Sequence, residues 1–215
     1  MKLTLSAIAL LASSVSAFNA FSPKKAAAPA AVAAPSFSVD EIPGALPPVG
    51  IFDPLGLAAK ADANTLKRYR EAELTHGRVA MLATVGFLVG EKVEGSSFLF
   101  DSQISGPAIT HLAQVPAPFW TLLAISIAKL ELDRAQYGWV PPRDVPVDKP
   151  GLLRTDYIPG DLGFDPLGLK PAEPDALLAM QNKELQNGRL AMLAAAGFLA
   201  QELADGKGIV EHFLG

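Results

Sequence analysis

The stretch "ELTHGRVAMLATVGFLVGE", Glu73–Glu91, occurs again as "ELQNGRLAMLAAAGFLAQE", Glu184–Glu202. The second copy starts 111 residues after the first (184 − 73), and the charged residues recur at matching positions. Each copy opens with a polar head that holds a Glu and an Arg, and an uncharged apolar run follows. Two long helices with the same charged head predict a pseudo-twofold arrangement.

The sequence around the two copies predicts an all-α fold. The hexapeptide "FDPLGL" precedes each copy, at Phe52–Leu57 and Phe164–Leu169. Between the copies, "APFWTLLAISIAKLELDRAQY" predicts a further helix, because prolines suit its first turn and Gly138 ends it. The three predicted helices run over about residues 62–93, 117–137 and 174–204. The last residues suit a short C-terminal amphipathic helix, and no strand pattern is present in the sequence.

The composition excludes several functional classes. Half of the 215 residues are hydrophobic, the mean hydropathy is +0.27, and the formal charge is only −4. No basic patch with interleaved aromatic residues appears, so a nucleic-acid partner is not expected. The chain has no cysteine, which excludes disulfides and thiolate metal sites.

The first residues are typical of targeting sequence. Residues 1–17 have the charged start, the short apolar run and the small-residue end of a signal peptide. Residues 18–38 are rich in Ala, Pro and Ser and free of acidic residues, as in a plastid transit peptide. The alternative is a signal followed by a disordered linker. A signal joined to a transit peptide resembles the bipartite leader of algae whose plastids have extra membranes, and residues 39–215 would be the mature domain.

The repeated helices favour a membrane protein with three transmembrane helices. Each uncharged run is shorter than the ~20 residues of a span, so a soluble bundle is the alternative. Extended back to its Glu, each run has 19 residues, about 28 Å of helix against a hydrocarbon core of about 30 Å. That extension requires neutral heads. Glu73 can pair with Arg189 and Glu184 with Arg78 if the first and third helices cross.

Glycines at matched positions predict close approach of these two helices. Gly77 and Gly188 adjoin the arginines, and Gly86 and Gly197 follow nine residues later. Small residues let helix backbones approach closely in lipid.

The polar heads allow two kinds of metal chemistry. Glu73 and His76 form a Glu-x-x-His pair, half of a di-iron carboxylate site, but the second copy offers Asn187 where a His is needed. The magnesium of chlorophyll, in contrast, needs only one axial donor. Five residues fit that pattern of isolated donors: Glu73, His76, Glu184, Asn187 and Gln201.

The paired heads, together with two "FDPLGL" loops, resemble the light-harvesting chlorophyll-binding superfamily. The stretch "REAELTHGRVAML" and the leader are most similar to its red-lineage branch, the fucoxanthin–chlorophyll a/c binding proteins. The likeness runs from about Gly50 to Gln201. It implies a non-enzymatic antenna in the plastid thylakoid membrane, with the N-terminus in the stroma. The expected partners are a photosystem I or II core, neighbouring antenna proteins and thylakoid lipids. A photoprotective, stress-related or assembly member of the superfamily is the alternative.

The resemblance also implies a set of pigment sites. Chlorophyll a, chlorophyll c and carotenoids of the fucoxanthin type are the expected cofactors, and a bound lipid is compatible. The implied magnesium ligands are Glu73, His76, Glu131, Glu184, Asn187 and Gln201, with His212 as a further candidate whose spacing departs from the family. The implied carotenoid-binding loop residues are Phe52, Asp53, Pro54 and Gly56, and Phe164, Asp165, Pro166 and Gly168. His111 is interpreted as a loop residue.

Overall fold

The computed structural model describes residues 43–47, 50–94, 104–147 and 150–214. The predicted signal peptide (1–17) and transit peptide (18–38) lie outside the described residues. The helices are α1 (Ala63–Val93), α2 (Ala108–Gln114), α3 (Ala117–Gly138), α4 (Pro174–Asp205) and α5 (Ile209–Leu214), with a 3-10 turn at Pro142–Asp144. The described part of the chain contains no strand beyond two isolated bridges, so the all-α prediction is confirmed. Residues 163–169 group in a separate compact unit and are described on their own.

Local signals in the sequence set the ends of the two long helices. The Asp62 side chain accepts a hydrogen bond from the Thr65 N–H at 3.1 Å and caps α1. Pro174 occupies the first turn of α4, where its missing N–H has no helical partner to lose. Gly206 ends α4 with a φ of +68°, a left-handed conformation that favours glycine.

The helices α1 and α4 pass each other at a pair of repeat-related glycines. A Cβ added to Gly77 would lie 3.0 Å from the Cα of Gly188, and the reverse contact is equally close. Leu74 and Leu185, which are equivalent in the two copies, are buried beside this crossing. The crossing therefore requires glycine at both positions, because any side chain would push the backbones apart.

The structure does not support two other predictions from the sequence, the packing role of Gly86 and Gly197 and the loop position of His111. Nothing lies within 4 Å of a Cβ added to Gly86 or Gly197, so no packing contact in the described chain explains these glycines. His111 is in α2 and not in a loop. A seven-residue helix is too short to leave a clear periodic pattern in the sequence.

The far ends of α1 and α4 each hold a short helix. The Glu202 carboxylate accepts a hydrogen bond from the Ile109 N–H of α2 at 2.7 Å. The Glu91 carboxylate accepts hydrogen bonds from the Ile209 and Val210 N–H groups of α5 at 2.7 and 2.9 Å. Glu202 of α4 thus caps α2, which follows α1, and Glu91 of α1 caps α5, which follows α4.

Hydropathy alone identifies few candidate membrane spans in this fold. Among the described residues, no single helix reaches the length and apolarity of a span. The pair α2 and α3, bent by 103°, reaches both only when the two are taken together.

Candidate functional site

The charged heads of α1 and α4 meet as two crossed ion pairs. Arg78 Nε donates to Glu184 Oε1 at 2.8 Å, and Arg189 Nε donates to Glu73 Oε1 at 2.8 Å. The structure therefore brings together the residues that the repeat indicates. A carboxylate paired in this way carries little net charge and becomes compatible with an apolar surrounding.

Each arginine also binds a backbone carbonyl that sequence reasoning missed. Arg189 NH1 donates to the Gly44 carbonyl at 2.8 Å, and Arg78 NH2 donates to the Gly160 carbonyl at 3.0 Å. Both glycines have positive φ, +105° and +82°. The signal was present, because "IPG" occurs at 42–44 and again at 158–160. Each crossed ion pair is thus completed by a turn that only glycine adopts easily. We call a Glu–Arg pair together with its glycine turn a lock.

The two locks differ in one charge. Arg70 NH1 lies 3.2 Å from Glu73 Oε2, so Glu73 faces two guanidinium groups. The equivalent position in the second copy is Gln181, which is uncharged. Glu184 pairs with Arg78 through Oε1, and its Oε2 accepts no hydrogen bond from the described residues.

The next polar residues along both helices expose a free lone pair. His76 Nδ1 lies 2.7 Å from the Ala72 carbonyl, so Nδ1 carries the proton and the lone pair is on Nε2. Asn187 Nδ2 donates to the Lys183 carbonyl at 2.9 Å, which leaves Oδ1 free as an acceptor. Both side chains are exposed. At equivalent positions, α1 and α4 therefore each present one atom with a free lone pair, His76 Nε2 and Asn187 Oδ1, that can bind a metal ion or accept a hydrogen bond.

Gln201, near the other end of α4, also has its amide nitrogen engaged, but its oxygen is buried. Its Nε2 donates to Asp205 Oδ1 at 2.9 Å and to the Lys207 carbonyl at 3.2 Å. Its Oε1 is buried and has no hydrogen-bond partner among the described residues. A buried acceptor without a partner is costly, so Gln201 would have to turn its oxygen outward to bind a ligand. His212 Nδ1 lies 2.6 Å from the other oxygen of Asp205.

Glu131 of α3 is exposed and charge-compensated. Arg134 NH1 donates to both of its carboxylate oxygens, at 3.0 and 2.8 Å. Arg134 Nε donates to Glu71 Oε1 at 2.9 Å. Glu71 is 3% exposed and also accepts from the Tyr157 hydroxyl and the Gly160 N–H, each at 2.8 Å. Burial, and then the Glu71 carboxylate, raise the pKa of Tyr157, so its hydroxyl stays protonated and donates.

The two "FDPLGL" loops form the same turn. Asp53 accepts hydrogen bonds from the N–H groups of Leu57 and Ala58 at 2.9 and 2.8 Å, and these bonds lower its pKa. Asp165 accepts from the Leu169 N–H at 2.9 Å. In each loop the glycine has positive φ, +63° at Gly56 and +65° at Gly168. Large apolar side chains remain exposed in both loops: Phe52, Leu55, Phe164 and Leu167.

A cavity of about 490 Å³ adjoins the first loop and the Glu73 lock. Its lining includes Phe52, Asp53, Arg70, Glu73 and Arg189. Within the described ranges, no three His, Asp or Glu side chains cluster as a shared metal ion would require.

The fold and the site together define an all-helical protein in which Glu and Arg side chains of two crossed helices neutralise each other. Several further side chains, at separate positions, each present one free lone pair. The chain belongs to the chlorophyll A-B binding protein family, whose model matches residues 38–203. The family predicted from the paired heads is therefore confirmed. Its members are generally pigment-binding proteins of the chloroplast and not enzymes.

Curated relatives of this chain include stress-related, fucoxanthin-chlorophyll a-c binding and chlorophyll a-b binding proteins. Light-harvesting complex stress-related protein 3.2 of Chlamydomonas reinhardtii is 49% identical over 80% of this chain and 66% of its own length. The chain thus spans slightly less than two thirds of that relative. The fucoxanthin-chlorophyll a-c binding protein of Isochrysis galbana is 49% identical over 77% of each chain. A Petunia hybrida chlorophyll a-b binding protein is 33% identical over 79% of this chain and 63% of its own length. The likeness to the fucoxanthin-chlorophyll a-c binding proteins agrees with the red-lineage branch.

The residues of the site fit the magnesium of chlorophyll. That magnesium would accept one donor from the protein, such as a neutral imidazole, an amide oxygen or a charge-compensated carboxylate. His76, Asn187 and Gln201 present such atoms with their other polar group already engaged. The crossed pairs supply compensated carboxylates at Glu73 and Glu184.

Proposed function

We propose that the chain is a light-harvesting antenna protein that binds chlorophylls and carotenoids and passes excitation energy to a photosystem. The observation that carries this proposal is the set of isolated donors, each with one free lone pair, on two helices locked at their crossing. Energy transfer depends on fixed distances and orientations between pigments. Donors on packed helices provide such positions better than donors on loops.

Each proposed chlorophyll magnesium would be held by one side chain. The proposed ligands are Glu73, His76, Glu131, Glu184, Asn187 and Gln201, with His212 as a further candidate. Chlorophyll supplies the light absorption when it is bound. The protein residues hold the lone pair in place, keep the carboxylates compensated and set the distance between neighbouring pigments.

The carotenoids are proposed to bind at the two "FDPLGL" loops. Asp53 and Asp165 fix the turns, and exposed apolar side chains in both loops offer contact area to a polyene. We assign chlorophyll a, chlorophyll c and carotenoids of the fucoxanthin type, which the relatives named fucoxanthin-chlorophyll a-c binding proteins favour.

A multi-pass orientation in the thylakoid membrane is part of the proposal, with α1, α3 and α4 as spans and the N-terminus in the stroma. Its support is the outward face of the repeat. Val79 and Leu190, which are equivalent, are 60% and 66% exposed, and Leu82 and Leu193 are 76% and 74% exposed. Large aliphatic side chains at matched outward positions require lipid or pigment around them. A photosystem core, other antenna proteins and thylakoid lipids are the proposed partners.

The test is spectroscopic and uses the complex purified from native membranes. Absorption identifies the pigments, and fluorescence excitation measures transfer from carotenoid to chlorophyll. Efficient transfer supports the antenna function. A colourless protein that is stably folded would contradict the pigment sites altogether.

A stress-related, energy-dissipating role is the second candidate. It is favoured by the relatives named light-harvesting complex stress-related proteins, which are 48–49% identical to this chain. The fluorescence lifetime of the purified complex separates the two functions. A long chlorophyll lifetime at neutral and acidic pH supports harvesting, whereas a strongly shortened lifetime supports dissipation.

A further inference from the structure

The helix α3 is held to the rest of the protein by few contacts. Of its 22 residues, only Gly138 is buried. Leu130 and Leu132, on either side of Glu131, are 54% and 62% exposed. A helix without a packed face has no set position of its own. The polar contacts near its C-terminal end therefore decide where Glu131 lies.

Arg134 provides the side-chain connection between α3 and α1. Its Nε donates to Glu71 Oε1 at 2.9 Å, and its NH1 binds both oxygens of Glu131. Its guanidinium also lies over the Trp139 ring, 5.2 Å from the centroid. Arg134 is only 17% exposed, whereas Glu131 is 58% exposed. The exposed Glu131 carboxylate is thus held by the Arg134 guanidinium, which is itself held by Glu71 of α1.

Glu71 is fixed in turn by the connection that follows α3. Its Oε2 accepts hydrogen bonds from the Tyr157 hydroxyl and the Gly160 N–H. The Tyr157 ring packs on Gly138, where an added Cβ would lie 3.0 Å from a ring carbon. Tyr157 therefore contacts both the carboxylate that holds Arg134 and the buried end of α3.

We propose that Glu71 and Tyr157 are positioning residues for the chlorophyll ligand Glu131. The proposal rests on the proposed function, since it takes Glu131 as a magnesium ligand. Glu71 draws the Arg134 guanidinium toward α1, and Arg134 then compensates Glu131 in one orientation. Without the Tyr157 hydroxyl, Glu71 Oε2 keeps only the Gly160 N–H, so Glu71 and Arg134 are held less firmly and the ligand carboxylate loses part of its fixed direction.

The test uses the full mature chain refolded with chlorophyll and carotenoid. Glu131→Leu defines the absorption difference spectrum of the chlorophyll at this site. Tyr157→Phe keeps the ring against Gly138 and removes only the hydroxyl. We expect Tyr157→Phe to lower the occupancy of that same chlorophyll and to reproduce its difference spectrum in part. In the Glu131→Leu background, Tyr157→Phe should cause no further pigment loss.

A second variant and a matched control keep the outcome decisive. Glu71→Gln preserves the shape of the side chain but removes the charge that holds Arg134, and it should affect the same pigment. Tyr137→Phe removes a hydroxyl of α3 that makes no hydrogen bond to Glu71, Arg134 or Glu131, and it should leave all pigments in place.

The possible failures are distinguishable. If Glu131→Leu retains every chlorophyll, the ligand assignment fails and the positioning role falls with it. If Glu131→Leu loses one chlorophyll but Tyr157→Phe and Glu71→Gln lose none, the positioning role alone is overturned. Pigment loss spread evenly over all sites, or loss that adds to that of Glu131→Leu, would likewise overturn it.

Discussion

The two crossed ion pairs should respond unequally to the loss of their arginines. Arg78→Leu leaves Glu184 without a cation, because the position equivalent to Arg70 is Gln181. Arg189→Leu leaves Glu73 with Arg70, whose NH1 lies 3.2 Å from Oε2.

Removal of one partner from a buried pair costs about 3–5 kcal/mol. The Arg78 and Glu184 side chains are 39% and 33% exposed, so we expect the lower end of this range, about 3 kcal/mol, for Arg78→Leu with lipid around the pair. For Arg189→Leu we expect about 1.5–3 kcal/mol, the loss of a hydrogen bond to a charged group that keeps another partner. Each variant also loses one bond to a glycine carbonyl, so this contribution cancels in the comparison.

The assay is the free energy of unfolding of the pigment complex in detergent, followed by circular dichroism during denaturant titration. Lys170→Ala is the control, because the Lys170–Asp161 pair lies outside the proposed spans, is 48% and 35% exposed, and should contribute less than about 1 kcal/mol. Equal losses for the two arginine variants would refute the role given to Arg70. Losses no larger than that of the control would refute the locks themselves.

Three further predictions follow from single contacts. Gly77→Ala should destabilise the complex by at least about 1 kcal/mol, because its Cβ would lie 3.0 Å from the Gly188 Cα. The control is Gly86→Ala, whose Cβ meets nothing within 4 Å. Its melting temperature should match or exceed that of the wild type. His76→Leu should release one chlorophyll per chain without loss of helicity, and pigment extraction with circular dichroism checks both; full retention would contradict the Nε2 site. Because backbone N–H groups lower the pKa of Asp53, the stability that its ionised form gives is present above the ordinary carboxyl pKa and is lost as the pH falls through the lowered value. Asp53→Asn should therefore weaken carotenoid retention at neutral pH and flatten its decline in acid, measured by pigment extraction across a pH series.

The repeat made the charged crossing predictable, since an unpaired Glu and Arg on each apolar helix need partners and the other copy is the natural source. The Glu71 cluster was not predictable in the same way. Tyr157 and Gly160 lie in a connection rich in proline and glycine, where no helical period indicates which side chain turns inward. Arg70 was missed for a related reason, because the repeat draws attention to what the copies share and Arg70 is where they differ.

Gly86 and Gly197 show a second limit. Their matched positions predicted a packing role, yet no atom of the described chain lies within 4 Å of a Cβ added to either glycine. The repeat marks these positions as equivalent, but it does not say what each of them contacts.

The most direct test of the central claim is a pigment-resolved structure of the complex from native membranes. We expect a chlorophyll whose magnesium lies about 2 Å from His76 Nε2, and another at the exposed Oδ1 of Asn187. Pigment-free density at both atoms, with the helices still crossed at Gly77 and Gly188, would contradict the account.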